Sequence, residues 1–150
     1  MKTVKGDLLA LALAGEFDVI VHGCNCQCSM GRGIAAAIRE QFPEAFATDA
    51  ATAKGSREKL GTISCADIVR PGSQLTVVNA YTQFHYSGKG VLVDYAALRR
   101  AFKAIRAEFA GKRIGYPRIG AGLAHGDWKT IAGIIEEELA GEDHTLVELG

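Results

Sequence analysis

The chain has 150 residues, 48% of them apolar and 23% charged, which suits one domain over residues 1–150 with its own core. Seventeen basic residues balance seventeen acidic ones, so the net charge is zero, and general nucleic-acid binding is not expected. No apolar run is long enough to span a membrane, and the start MKTVKGDLL lacks the apolar stretch of a secretory leader, which makes the cytoplasm the expected location.

Thr3–Lys5 reads as a short strand, and Asp7 stands where a helix through LLALALA can start. Phe17–His22, with its β-branched core DVIV, reads as a central buried strand closed by His22. Polar and small residues follow as far as GRG. The apolar residues Ile34, Ile38 and Phe42 then fall at helical spacing and predict a helix over Gly33–Phe42. Pro43 opens a further short helix, since proline fits a first helical turn. Lys54–Leu60 is a polar loop, Thr62–Val69 a strand with a possible break, and Pro71–Gly72 a turn. Leu75–Tyr81 is another strand, and Thr82–Gly90 a polar and aromatic loop.

Asp94 caps a long helix through Phe109, with Leu98, Phe102, Ile105 and Phe109 as its buried stripe. Arg99, Lys103 and Arg106 lie on its other face and read as a solvated surface. Gly111 ends that helix, and Arg113–Tyr116 is a strand. The glycine-rich loop Pro117–Gly126 leads to Asp127, which caps a last helix with Trp128, Ile131, Ile135 and Leu139 inward. Thr145–Leu149 is the final strand. Strands alternating with helices imply a mainly parallel sheet covered on both faces, with ligands bound at the carboxyl ends of its strands.

Both glycine loops, GRG at 31–33 and RIGAGLAHGD at 118–127, follow strands. Together they present main-chain N–H donors and a helix dipole to one cleft, which suits a phosphate or diphosphate. The first is not a P-loop, because no Gly-Lys-Ser/Thr follows. It is not a dinucleotide fingerprint, because the third glycine would fall at Ala36. Asn25 can hydrogen-bond a sugar hydroxyl or form an Asx-turn. His22 can act as acid, base or nucleophile, or sit as a buried imidazole. Asp127 can assist chemistry or serve as an N-cap, and His125 can assist chemistry or stand as an exposed loop residue. Cys24, Cys26 and Cys28 alternate in one loop, without the C-x-x-C spacing of zinc ribbons or redox motifs. Free thiols are expected, with no metal and no cofactor.

KGDLL at 5–9, VIVHGCNCQCSMGRGIAAAI at 19–38 and YPRIGAGLAHGDW at 116–128 together resemble the macro domain, in matching order and over almost the whole chain. The resemblance implies a three-layer α/β/α fold with a mixed, mainly parallel sheet. It implies binding of ADP-ribose or an ADP-ribosylated substrate by a monomer, with no membrane partner. On it, Asp7 would receive the adenine amino group beside Leu8, and Asn25 the distal ribose. Gly31, Arg32, Gly33 and Ile34 would form one phosphate loop, and Ile119, Gly120, Ala121, Gly122, Leu123 and Ala124 the other. Two branches look nearest. The fungal ADP-ribose 1″-phosphate phosphatases share H-x-C-N-C, which puts their catalytic histidine on His22. The terminal ADP-ribose protein glycohydrolases share C-x-M-G-x-G-I-A. The lysine of that branch has no counterpart in NAYTQ at 79–83, and its aspartate position is Ala124. The deacetylase-like branch has an aspartate where this chain has Ala35. The implied function is phosphatase or ADP-ribosyl hydrolase, with His22, Asn25 and Asp127 as the catalytic candidates, or else ADP-ribose capture without catalysis.

Overall fold

The computed structural model describes residues 1–150. In chain order the elements are β1 (Lys2–Lys5), α1 (Leu8–Leu13), β2 (Val19–Asn25), α2 (Gly33–Gln41), α3 (Pro43–Ala50), a 3-10 turn at Arg57–Lys59, β3 (Ile63–Arg70), β4 (Ser73–Gln83), α4 (Tyr95–Phe109), β5 (Ile114–Tyr116), α5 (Trp128–Glu138) and β6 (His144–Glu148). The strands form one sheet in the order β1-β6-β5-β2-β4-β3. Every neighbouring pair is parallel except β3 and β4, which join as an antiparallel hairpin through the Pro71–Gly72 turn. The fold is therefore a mixed, mainly parallel α/β/α arrangement: mainly parallel as the alternation of elements implies, and mixed and three-layered as the resemblance implies.

Period-two alternation along the strands divides the core into two layers. Val19, Val21, Val78, Ile114 and Tyr116 pack under Leu98, Phe102, Ile105, Ile131 and Ile135 of α4 and α5. Ile20, Val77, Ile68 and Leu75 pack on the other face, under Leu8, Leu9, Ile38 and Phe42. Three aspartates start helices as side-chain caps: Asp7 accepts from the Ala10 amide, Asp94 from Ala97 and Asp127 from Thr130. The basic stripe of α4 is partly engaged by α5, since Arg99 meets Glu137 at 2.8 Å and Glu138 at 2.7 Å. No helix is long and apolar enough to cross a membrane.

The main correction to the sequence reading concerns β2. The strand does not close at His22 but runs on through Gly23, Cys24 and Asn25, pairing His22 with Asn79, Gly23 with Ala80 and Cys24 with Tyr81. Main-chain ladder bonds continue it where the apolar pattern stops, because β4 is itself longer than its apolar stretch and offers partners as far as Gln83. His22 is thereby an interior strand residue with no exposed surface. Likewise β3 is unbroken, because the β4 partner carries it through its polar positions.

Core and cap contributions should separate in size. Phe102→Ala, which empties a fully buried position between α4 and the sheet, should cost about 3–5 kcal/mol in urea unfolding. Asp94→Ala, which removes only the cap of the same helix, should cost about 1 kcal/mol.

Candidate functional site

Five parallel strands bring their carboxyl ends to one rim of the sheet. The chain leaves β2 for α2 on one face and leaves β5 for α5 on the other, and β2 and β5 are neighbours. That divergence opens a crevice at the strand ends. The crevice is a cleft of about 280 Å³, walled by the β2–α2 loop, the β5–α5 loop and the end of β4 with the residues after it.

Main-chain donors dominate it. Arg32 occupies the N-cap position of α2 in extended backbone and makes no side-chain cap. The first-turn amides of Gly33, Ile34 and Ala35, all in the cleft wall, are therefore left for a ligand or water. Across the cleft, the Gly122, Leu123 and Ala124 amides donate to no group of the chain, while the His125 and Gly126 amides are spent on Gly122 and Gly120 carbonyls. The two loops nearly touch: a Cβ on Gly33, whose φ is +60°, would lie 3.5 Å from the Leu123 side chain. The floor is lowered at Gly23, where a Cβ would strike the Thr82 hydroxyl at 2.9 Å. That hydroxyl is the one buried side-chain polar atom without a partner.

The cleft wall holds two arginines and no Asp, Glu, His or Lys. Arg118 is paired with Glu148 at 3.1 Å and lies over the Trp128 ring. Arg32 donates to the Tyr86 main-chain carbonyl at 3.0 Å, reaching from the β2–α2 loop to the loop after β4. Asn25 also faces the cleft, with its carboxamide engaged locally: Oδ1 accepts from the Gln27 amide at 2.9 Å and Nδ2 donates to the Ser29 carbonyl at 2.8 Å. This is the Asx-turn, and it shapes the loop that carries the glycines.

The other expected site residues lie in different surroundings. His22 is behind the floor. Asn79 Nδ2 donates to the Ala45 carbonyl and the Ser64 hydroxyl, each at 3.1 Å, so Asn79 Oδ1 faces His22 and accepts from Nε2 at 2.6 Å. Cys24, which does line the cleft, has Sγ 3.4 Å from Nε2 and 3.7 Å from Nδ1. Burial pushes the His22 pKa down to about 4, against the opposing Asn79 hydrogen bond. Burial also holds the Cys24 thiol well above its ordinary range. Asp127 is exposed, and one carboxylate oxygen serves both the amide and the hydroxyl of Thr130, which lowers its pKa. Asp7 stands at the carboxyl end of β1 on the same rim, with Oδ1 used as a cap. The Leu8 side chain is in the core, and Ala121 lies in its loop outside the cleft wall. The remaining loop residues named from the sequence, Gly31 to Ile34 together with Ile119, Gly120, Gly122, Leu123 and Ala124, all line the cleft.

Ser29, Gln83, Tyr86 and Arg118 line it as well and were not singled out from the sequence. For Gln83 and Tyr86 a signal existed: any loop at the carboxyl end of a strand beside β2 borders the crevice. All four cysteines are free, and no three His, Cys, Asp or Glu side chains converge as a metal site would require.

Comparison with known proteins gives a consistent result. The family model described as Macro domain matches residues 21–135. An uncharacterised 17.5 kDa protein of Enterobacteria phage T4 is 34% identical over 142 residues, covering 91% of this chain and 88% of that one. An ADP-ribose 1″-phosphate phosphatase of Candida albicans is 25% identical over 141 residues, covering 89% and 90%. The structure of a macrodomain protein from Streptomyces coelicolor superposes with a TM-score of 0.75 at 27% identity, covering 99% of each chain.

The buried imidazole gives the protein an acid-sensitive limb. With a folded pKa near 4 against an ordinary 6.5, His22 contributes stability that is fully present above 6.5 and lost as pH falls toward and through 4. The loss amounts to about 3 kcal/mol. Urea unfolding of His22→Gln should show a flatter dependence between pH 7 and 4 than the wild type. A parallel slope would mean that His22 charges as readily in the folded chain as in the unfolded one.

Proposed function

The chain belongs to the macro domain family, and on that premise we propose that the cleft binds ADP-ribose and that the protein hydrolyses the phosphate from ADP-ribose 1″-phosphate. The observation that carries this reading is the opposition of two sets of unspent main-chain donors, the first turn of the uncapped α2 and the Gly122–Ala124 amides, across one cleft without a carboxylate. A diphosphate fits between them, because amides and a helix dipole favour anions and glycine lets the backbone come close. Adenine would lie toward Asp7, whose second carboxylate oxygen is free to accept from an amino group, with the Leu8 main chain beside it. The distal ribose would lie toward Asn25. Those two ends are separated by three strand spacings, about 14 Å, a span suited to an extended molecule with a sugar at each end of a diphosphate.

Chemistry favours the phosphomonoester among the possible substrates. Phosphoryl transfer depends mainly on positioning and on stabilising charge, which amides and Arg32 supply. The lysine and aspartate of the glycohydrolase branch have no counterpart at the matching positions, and the cleft wall holds neither residue type. The name of the Candida relative supports the same substrate. His22 would act through Cys24 and the end of β2, holding the floor under the distal ribose, and Asp127 would serve by starting α5. A second reading, capture without turnover, draws on the complete burial of His22.

Calorimetry with ADP-ribose, alongside phosphate release from ADP-ribose 1″-phosphate, tests both parts. Heat without release supports capture alone, and the absence of both removes the proposal. Asp7→Ala should weaken ADP-ribose by about 1.5–3 kcal/mol and leave a ribose phosphate lacking adenine nearly unaffected, since the lost helix cap acts on folding and not on the ribose end. Gly122→Glu should fold normally, because nothing lies within 4 Å of its Cβ position, yet lose ADP-ribose binding by setting a negative charge against the diphosphate. Wild-type affinity in that variant would show that the second loop is not a phosphate clamp.

A further inference from the structure

We propose that the Arg32 side chain is the specificity determinant of the cleft, selecting ligands whose distal ribose carries a phosphomonoester over ligands whose ribose ends free. The inference rests on the ADP-ribose reading above and adds a role for one side chain that the paired phosphate loops do not require.

Position is the first observation. Asn25 and Gln83 are partners in the β2–β4 register, and Tyr86 follows three residues after Gln83. By reaching the Tyr86 carbonyl at 3.0 Å, the Arg32 guanidinium is held at the Asn25–Gln83 end of the cleft, away from β5, β6 and the Asp7 end. A substituent on the distal ribose would emerge there.

Charge is the second. Of the two guanidinium groups in the wall, Arg118 is already neutralised by Glu148. Arg32 has only a neutral main-chain carbonyl as its acceptor, and no carboxylate stands in the cleft. Its positive charge is therefore uncompensated. A guanidinium exchanges one carbonyl bond for a two-pronged, charge-assisted pair with phosphate at a gain, because both partners are ionised and their geometries match. The exchange is cheap, since Arg32 is exposed and need only release Tyr86.

Division of labour is the third. The diphosphate of any ADP-ribose ligand is already served by the amides of Gly33–Ala35 and Gly122–Ala124. The Arg32 head group is surplus to that task and points to the far end, where only a terminally charged ligand supplies a second anion.

The test compares two ligands on three proteins: ADP-ribose and the non-hydrolysable 1″-phosphonate analogue of ADP-ribose 1″-phosphate, titrated calorimetrically at low salt into wild type, Arg32→Ala and Arg32→Lys. Melting temperatures confirm that the variants fold. Wild type should prefer the phosphonate by about tenfold, the scale of one charge-assisted hydrogen bond. Arg32→Ala should bind the two ligands equally, and Arg32→Lys should keep part of the preference, with the charge but not the fork. The wild-type preference should also shrink with added salt. A preference undiminished in Arg32→Ala, or equal binding by wild type, overturns this proposal and leaves the ADP-ribose reading intact. Binding of neither ligand by wild type overturns both. A further arm uses an ADP-ribosylated acidic peptide: an Arg32-dependent preference for it, with none for the phosphonate, overturns the proposal in favour of a macromolecular carrier.

Discussion

The Asn79 carboxamide joins the centre of the sheet to the layer above it. It is wholly buried, so each of its polar atoms must be satisfied within the protein. Its oxygen accepts a hydrogen bond from His22 Nε2, and its amide group donates to α3 at the Ala45 carbonyl and to β3 at the Ser64 hydroxyl. From Ser64 the pattern continues to the Tyr81 hydroxyl and on to the Asp49 carboxylate at 2.7 Å. Every donor in that series points the same way, from β2 toward α3, and burial raises the Asp49 pKa even though Tyr81 donates to it. Removing a member would leave a buried polar group unpaired, which is costlier than losing the bond itself. The end of β2, and with it Cys24, Asn25 and the loop that starts α2, is placed by this network.

A rigid polar layer beneath the cleft complements a cleft that is mostly main chain. Amides held in loops and at a helix start are oriented before a ligand arrives, so their dipoles need not reorganise. Local contacts keep those loops in place: the Asx-turn of Asn25, the cap at Asp127, and the close main-chain approach of Gly126 to the Gly120 carbonyl, where a Cβ would lie at 2.5 Å. The polar contacts of His22, Asn25 and Asp127 are thus made within the protein, while the cleft offers free main-chain donors and one uncompensated cation.

Much of this was legible from the residues alone. Asp94 and Asp127 marked helix starts, the apolar stripes of α4 and α5 marked the faces they bury, and the two glycine loops marked the cleft. The extension of β2 was not legible. Its last residues, Gly23, Cys24 and Asn25, lack an apolar pattern, and their pairing is dictated by β4, distant in sequence. Burial of His22 follows from that extension and decides for the buried imidazole between the surroundings that the residues alone left open. Arg32 was legible as a loop residue, but not its reach to Tyr86, because a contact across 54 positions has no local signature. The hairpin of β3 and β4, the one antiparallel pair in a mainly parallel sheet, was signalled by Pro71–Gly72.

The two sheet edges bear on how copies of the chain meet one another. With equal numbers of positive and negative residues, two molecules feel no net repulsion, so nothing long-range keeps an open strand from finding another. The edges themselves have to refuse it. One edge is β1, only four residues long, with Lys2 and Lys5 at its ends and Lys2 tied to Asp143 at 2.9 Å. The other is β3, whose exposed positions include Asp67 and which ends at Arg70, clamped to Glu44 at 2.6 Å. A second strand laid along either edge would have to strip ion pairs and bury charge. Protection from sheet-to-sheet association is thus local, written into a few side chains at the margins.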